Sequence, residues 1–277
     1  MAEYNVLDLK VWEDFLDKIR SLREQEASLK AKLGYVPNLL FRGQREAGWK
    51  LETTLERSRP NSLSLSSYYH AISRTLPQIE AHTQEKWQIP LPPQYDQMIR
   101  GAEAELNLRM AFPAYDYMAY LRHHGFPSPL LDWSKSAYIA AFFAFRQAGD
   151  PAGHVAIFAY RETSGGGKAG MVGKPEIIVQ GPYVRTHRRH FLQQCQYTVC
   201  IALNGPGPQW HYTSHEDVFA ATHGPRLQEQ DQLWKFTLPV SERERVLSYL
   251  DEHNLNAYSL FGSEDTLMET MALKELK

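Results

Sequence analysis

Apolar residues in the first part of the chain recur every three or four positions. In residues 6–31, Leu7, Leu9, Trp12, Leu16, Ile19, Leu22 and Leu29 stand at that spacing among charges, which predicts one amphipathic helix ended by Gly34. Leu39, Leu40 and Phe41 then read as a short apolar strand running into Arg42-Gly43-Gln44. The Ser-rich stretch 58–67 reads as a loop. Residues 68–76 and 97–112 have helical spacing and are closed by Pro77 and Pro113, with the proline-rich segment 89–95 as a hinge between them. Residues 114–121 make a further short helix.

The densest apolar block, residues 121–145, organises the rest. Pro127 and Pro129 keep the backbone extended and donate no amide, so Leu130 and Leu131 arrive as a rigid apolar pair. Ser134 stands where it can cap a helix, with Asp132 adding negative charge toward the positive end of the helix dipole. Residues 137–145 carry no charge, which predicts a buried helix whose Ala140, Ala141 and Ala144 allow close approach. Lying between Leu131 and Trp133, Asp132 must be paired if it is buried with them.

Strand patterns dominate the second half, at 153–160, 176–179, 193–202 and 233–238, with a turn-rich stretch at 205–225. Residues 242–254 predict a helix, 255–261 a last strand or turn, and 263–273 a closing helix capped by Ser263 or Asp265. Helices mostly before residue 150 and strands mostly after it predict an α+β fold. We expect one domain over 1–277, with a helical N-terminal elaboration at 1–34 and the core at 39–277.

Composition narrows the setting. The chain has 277 residues, 43% hydrophobic and 22% charged, an ordinary globular balance. No apolar run approaches the roughly 20 residues of a membrane helix, and the N-terminus lacks a leader pattern, so the cytoplasm is the expected location and no membrane partner is expected. A formal net charge of −2 gives no global pull on nucleic acid, so a local patch would have to hold it. Cys195 and Cys200 lie five apart in a predicted strand, on opposite faces, which argues against a disulfide or a metal pair between them.

Candidate chemistry begins with Arg42. A planar, always-charged guanidinium at the end of a strand, followed by a glycine that lets backbone come close, suits an anion grip at an exposed rim; pairing with a carboxylate at the core edge is the plainer alternative. Arg185, His187, Arg188, Arg189 and His190 make the strongest local positive patch, either a solvated loop or a phosphate holder. The Gly-rich stretch 161–170 with Lys168 has the wrong spacing for a phosphate loop, and Ala169 stands where Ser or Thr would hold magnesium. His187 with His190 lacks a third ligand, so no metal is expected.

Four ordered segments resemble FRG-domain proteins. They are Phe41-Arg42-Gly43 with Gln44; the 121–145 block with His123, Gly125, Pro127, Leu130, Leu131, Asp132 and Trp133; Arg189, Gln193 and Tyr197; and the 238–268 stretch with Leu238-Pro239, Leu260-Phe261 and an acidic helix start. The departures are Pro129 for a usual arginine, Cys195 for a glycine, Ser136 for an asparagine and Gly262 for a proline. The order of arginine, serine and polar strand start is also similar to ADP-ribosyltransferases, which implies a mixed sheet core of that kind and NAD as co-substrate. On that resemblance the chain is a toxin-type or phage-defence effector modifying RNA, DNA or protein, with a possible antitoxin or neutralising partner.

The resemblance implies catalytic roles for Arg42, Asp132, Ser134, Gln193 and Glu264, and NAD contacts from Arg42, Gln44, His123, Ser134 and Tyr197. Gln193 stands where a glutamate is expected, which leaves Glu264, Asp265, Glu269 or Asp132 as the carboxylate. A second reading is a non-catalytic module in which Arg42, Arg188 and Arg189 hold a phosphate-bearing ligand such as RNA.

Overall fold

The computed structural model describes residues 5–59, 62–105, 112–165, 168, 174–181, 184, 186–204, 209–221 and 229–276. Among these residues, eight strands form one mixed sheet: β1 (Asn5–Asp8), β2 (Leu40–Gln44), β3 (Leu131–Ser134), β4 (His154–Thr163), β5 (Glu176–Gln180), β6 (Cys195–Asn204), β7 (Gln209–Tyr212) and β8 (Gln230–Pro239). Their order is β1-β8-β4-β2-β3-β6-β5, with β7 also paired to β6. The β1–β8 pair is parallel and the others are antiparallel. This is a mixed α/β architecture consistent with the α+β expectation. Among the described residues no helix is long and apolar enough to cross a membrane.

The helices, in chain order, are α1 (Trp12–Leu33), α2 (Thr54–Ser58), α3 (Leu65–Ser73), α4 (Leu76–Thr83), α5 (Pro92–Glu105), α6 (Tyr115–His123), α7 (Ala137–Arg146), α8 (Arg188–Leu192), α9 (His215–Ala221), α10 (Arg243–Glu252), α11 (Ala257–Phe261) and α12 (Glu264–Glu275). One apolar cluster joins α1, α7 and α10 to the sheet through Phe15, Phe41, Phe142, Ile157, Phe236 and Leu250. A second gathers α3, α5 and α6 against β6 and β7 through Tyr68, Tyr95, Tyr117, Tyr197 and Tyr212. A third covers the opposite side of the central strands with Leu51, Trp133, Phe158 and Phe219.

The uncharged α7 lies against β2, as its composition predicts. A Cβ on Gly43 would stand 1.9 Å from the Ala140 carbonyl oxygen and 2.6 Å from the Ala144 nitrogen. The glycine of the Phe41-Arg42-Gly43 triplet therefore lets a helix touch a strand, and the backbone it admits is that of α7.

Several boundaries differ from the sequence reading, each for a tertiary reason. Residues 5–8 are a strand because β8 offers them a parallel edge, so the first helix starts only at Trp12. Residues 131–134 are the strand β3, which shifts the α7 cap from Ser134 to Ser136, whose side chain accepts from the Ile139 amide. Pro77 stands in the first turn of α4, and Pro92 opens α5, where a missing amide costs nothing. Leu65, read as part of a loop, begins α3, and residues 257–261 form α11 rather than a strand. The strand expected from 193 begins at Cys195, because Gln193 ends α8 and Gln194 takes φ 48°. The turn-rich stretch holds β7 and α9, while 205–208 and 222–225 lie outside the described residues, as do 106–111 of the second expected helix and 166–167 and 169–170 of the Gly-rich stretch.

Candidate functional site

The sheet opens between β2 and β3. These strands share a single register pair, Phe41↔Ser134, and part beyond it. Arg42 bridges the gap: its Nη1 donates to the Asp132 main-chain oxygen at 2.8 Å and to the Asp132 carboxylate at 2.6 Å. Arg122, from α6, donates from Nη2 to the same carboxylate oxygen at 2.8 Å. One carboxylate thus lies between two guanidiniums drawn from elements 90 and 10 residues away.

The Asp132 side chain stays 41% exposed, whereas those of Arg42 and Arg122 are 12% and 19% exposed. Desolvation acts to raise the Asp132 pKa, but attraction to Arg122 and Arg42, with the Arg42 hydrogen bond, outweighs it and holds the carboxyl well below the usual range. Asp132 is therefore an anion at any ordinary pH and no proton donor. Its position as a paired strand residue corrects its expected place at a helix start. Arg42 is likewise no exposed-rim residue, since its side chain is largely buried and paired with Asp132.

Above this triad is a cavity of about 300 Å³ lined by Arg42, Gly43, Gln44, Arg45, Trp49, Arg57, Asp132, Ser134, Gln193 and Cys195, with Phe41, Trp133, Ala140, Phe143 and Gln147 completing its wall. Four of the five proposed catalytic residues, Arg42, Asp132, Ser134 and Gln193, meet there. Ser134 Oγ donates to the Gln193 main-chain oxygen at 2.9 Å and accepts from the Ser136 amide at 3.1 Å, which locks β3 to the end of α8. The Gln193 side chain donates to the Leu260 carbonyl at 3.2 Å, tying the wall to α11. Gln44 donates to the Lys50 carbonyl at 3.0 Å, and among the described residues Gln44 Oε1 and Arg42 Nε are buried without a hydrogen-bond partner.

Sequence reasoning missed Arg45, Arg57 and Trp49. Arg45 and Arg57 are exposed, and the Arg45 guanidinium carbon lies 4.9 Å from the centre of the Trp49 ring, a cation–π stack at the mouth. The signal for Arg45 and Trp49 was available in the run FRGQREAGW, where a second arginine and a tryptophan follow the first arginine closely.

The remaining candidates fall elsewhere. Glu264, exposed in the first turn of α12, does not line the cavity, nor does Asp265. Glu269 makes a two-pronged pair with Arg146, at 2.8 and 2.6 Å. His123 and Tyr197 lie outside the cavity lining, with Tyr197 Oη 2.7 Å from His123 Nε2, and burial drives the His123 pKa down to about 4. The basic run does not form one face: Arg189 covers the Phe261 ring at 5.4 Å, His190 is buried, His187 and Arg188 are exposed, and Arg185 lies outside the described residues. Lys168 ion-pairs with the buried Asp231 at 2.6 Å, in keeping with its rejection as a phosphate-loop lysine.

A family model described as FRG domain matches residues 37–152. The match takes in the Phe41-Arg42-Gly43-Gln44 segment and the 121–145 block, hence Arg42, Arg45, Arg57, Asp132 and Ser134. Gln193, Tyr197 and Glu264, from the two later resembling segments, lie beyond it. No curated protein and no solved structure matches the chain.

Proposed function

We propose that the cavity above Arg42 and Asp132 binds a phosphate-bearing nucleotide, and that this ligand is NAD, consumed as an ADP-ribosyl donor to a macromolecular acceptor. The observation that carries the reading is the pairing of a permanently ionised, partly exposed carboxylate with arginines around one small cavity. Asp132 offsets only one of the two guanidiniums it holds, so with Arg45 and Arg57 the mouth keeps a surplus of positive charge that favours phosphates. The buried and unpaired Arg42 Nε and Gln44 Oε1 supply a donor and an acceptor suited to a polar ligand. A volume of about 300 Å³ is at the small end of ligand sites, enough for the reacting part of a dinucleotide, with the remainder along Arg45, Arg57 and Trp49.

In such a transfer the bond between ribose C1′ and the nicotinamide nitrogen breaks, and its electron pair leaves with nicotinamide. C1′ becomes oxocarbenium-like, and an acceptor nucleophile attacks it, its proton passing to solvent. Asp132 supplies fixed negative charge toward that cationic carbon, a role that needs an ionised acid and no proton. Arg42 and Arg122 keep Asp132 ionised and in place, while Arg45 and Arg57 hold phosphate charge away from it.

One observation favours a second reading, a non-catalytic module for phosphate or nucleic acid. The carboxylate of Asp132 is engaged by two arginines, and among the described residues no glutamate lines the cavity. Incubating the folded chain with adenylate-labelled NAD and separate mixtures of RNA, DNA and protein distinguishes the two. The transferase reading expects label on one acceptor class, released nicotinamide, and loss of both in Asp132→Asn. Retention of RNA or DNA without any label would favour the module.

A further inference from the structure

The zinc reading of His187 with His190 failed in the sequence for want of a third ligand, and the fold supplies a different group. His123 at the end of α6, His190 in α8 and Cys195 at the start of β6 each offer one ligand atom within 4.8 Å of the other two. Three atoms so placed share a point within about 2.8 Å of each, from which modest side-chain rotations reach the ~2.0–2.3 Å bonds of zinc. Cys200, five residues on, is buried on the opposite face of β6 and takes no part.

We propose that His123, His190 and Cys195 form a binding site for a divalent cation of the zinc class, three protein ligands that leave a fourth position open. Two imidazoles and a thiolate suit a borderline-soft ion. A neutral imidazole donates a ring-nitrogen lone pair to such an ion. The Tyr197 hydroxyl touches all three groups, 2.7 Å from His123 Nε2, 3.5 Å from His190 Nδ1 and hydrogen-bonded with the Cys195 thiol, so an ion entering the site takes its place among them. Cys195 is buried; on binding, its S–H bond breaks, sulfur bonds the metal and the proton passes to solvent.

Charge around the group is mixed. The Asp132 carboxylate favours a cation beside His123 and Cys195, whereas Arg122 near His123 and Lys135 near His190 oppose it. A bound ion would staple α6 to the consecutive α8 and β6, more than 60 residues further along the chain, behind the wall that carries Asp132 and Gln193.

The test strips the purified chain with a chelator and adds zinc or, as a spectroscopic probe, cobalt(II). One zinc per chain by elemental analysis, a thiolate-to-cobalt charge-transfer band and a raised thermal midpoint with zinc are expected. Cys195→Ser should abolish the band, His190→Gln and His123→Gln should each weaken zinc binding at least tenfold, and Cys200→Ser should leave both unchanged. Should Cys195→Ser fail to fold, the half-buried His123 provides the deciding variant. No zinc on the folded parent, a band that survives Cys195→Ser, or one lost equally in Cys200→Ser would overturn the proposal. None of these measurements involves NAD, so the outcome is independent of the function proposed above.

Discussion

Arg42 Nη1 contacts Asp132 twice, at its main-chain oxygen (2.8 Å) and its carboxylate (2.6 Å), so a single nitrogen closes the gap between β2 and β3 and fixes the side chain within it. The pair is at once part of the sheet and the floor of the cavity.

Asp132→Ala leaves Arg42 and Arg122 without their shared acceptor and should cost roughly 1–3 kcal/mol in urea unfolding at neutral pH. Asp132→Asn keeps one acceptor oxygen and should cost less. Because the folded carboxyl is held below its unfolded value, its stabilising effect is fully present above the unfolded pKa of ~3.9 and is lost progressively as the pH falls below it. The difference between parent and Asp132→Asn should therefore shrink in acid. Equal stability of all three chains at pH 7 would show that Asp132 has no structural role.

Gly43→Ala should destabilise by about 3 kcal/mol, the upper part of the overpacking range, since its methyl meets helix backbone at Ala140 and Ala144, which cannot rotate aside. A chain melting within a degree or two of the parent would mean that α7 and β2 are less intimate than described.

His215 is fully buried beside Thr198, whose hydroxyl also accepts from the Trp133 indole, and burial lowers the His215 pKa to about 3. A histidine held neutral in the folded state binds fewer protons than its unfolded counterpart between pH ~6.5 and its folded value, so stability falls as the pH drops through that window. His215→Phe should flatten the decline in urea midpoint between pH 7 and pH 5. An unchanged slope would show that this histidine is not what titrates.

What the sequence revealed of this arrangement follows from how local each signal was. The uncharged run of α7, the Gly34 and Ser263 helix ends and the strands β4 and β8 depend on neighbouring residues and read correctly. The strand nature of 131–134 did not, because β3 exists only through partners at Phe41 and 195–198. Arg42 stood out as a charge ending an apolar strand, yet its partner could be found only across the fold. The same holds for His123, His190 and Cys195, whose proximity depends on α6, α8 and β6 meeting. Glu264 drew notice as an acid at a helix start, and the fold leaves it in that role, away from the cavity.

Calorimetric titration of NAD into the folded chain tests the central claim most directly. The account predicts saturable one-site binding, weakened roughly tenfold by Arg45→Ala and by Arg57→Ala, whose exposed side chains can be removed with stability changed by no more than about 0.5 kcal/mol. Arg42→Lys should bind poorly as well, because an ammonium cannot reproduce the guanidinium fork. A folded parent chain that gives no heat beyond dilution, or that binds NAD equally well without Arg45 and Arg57, would contradict it.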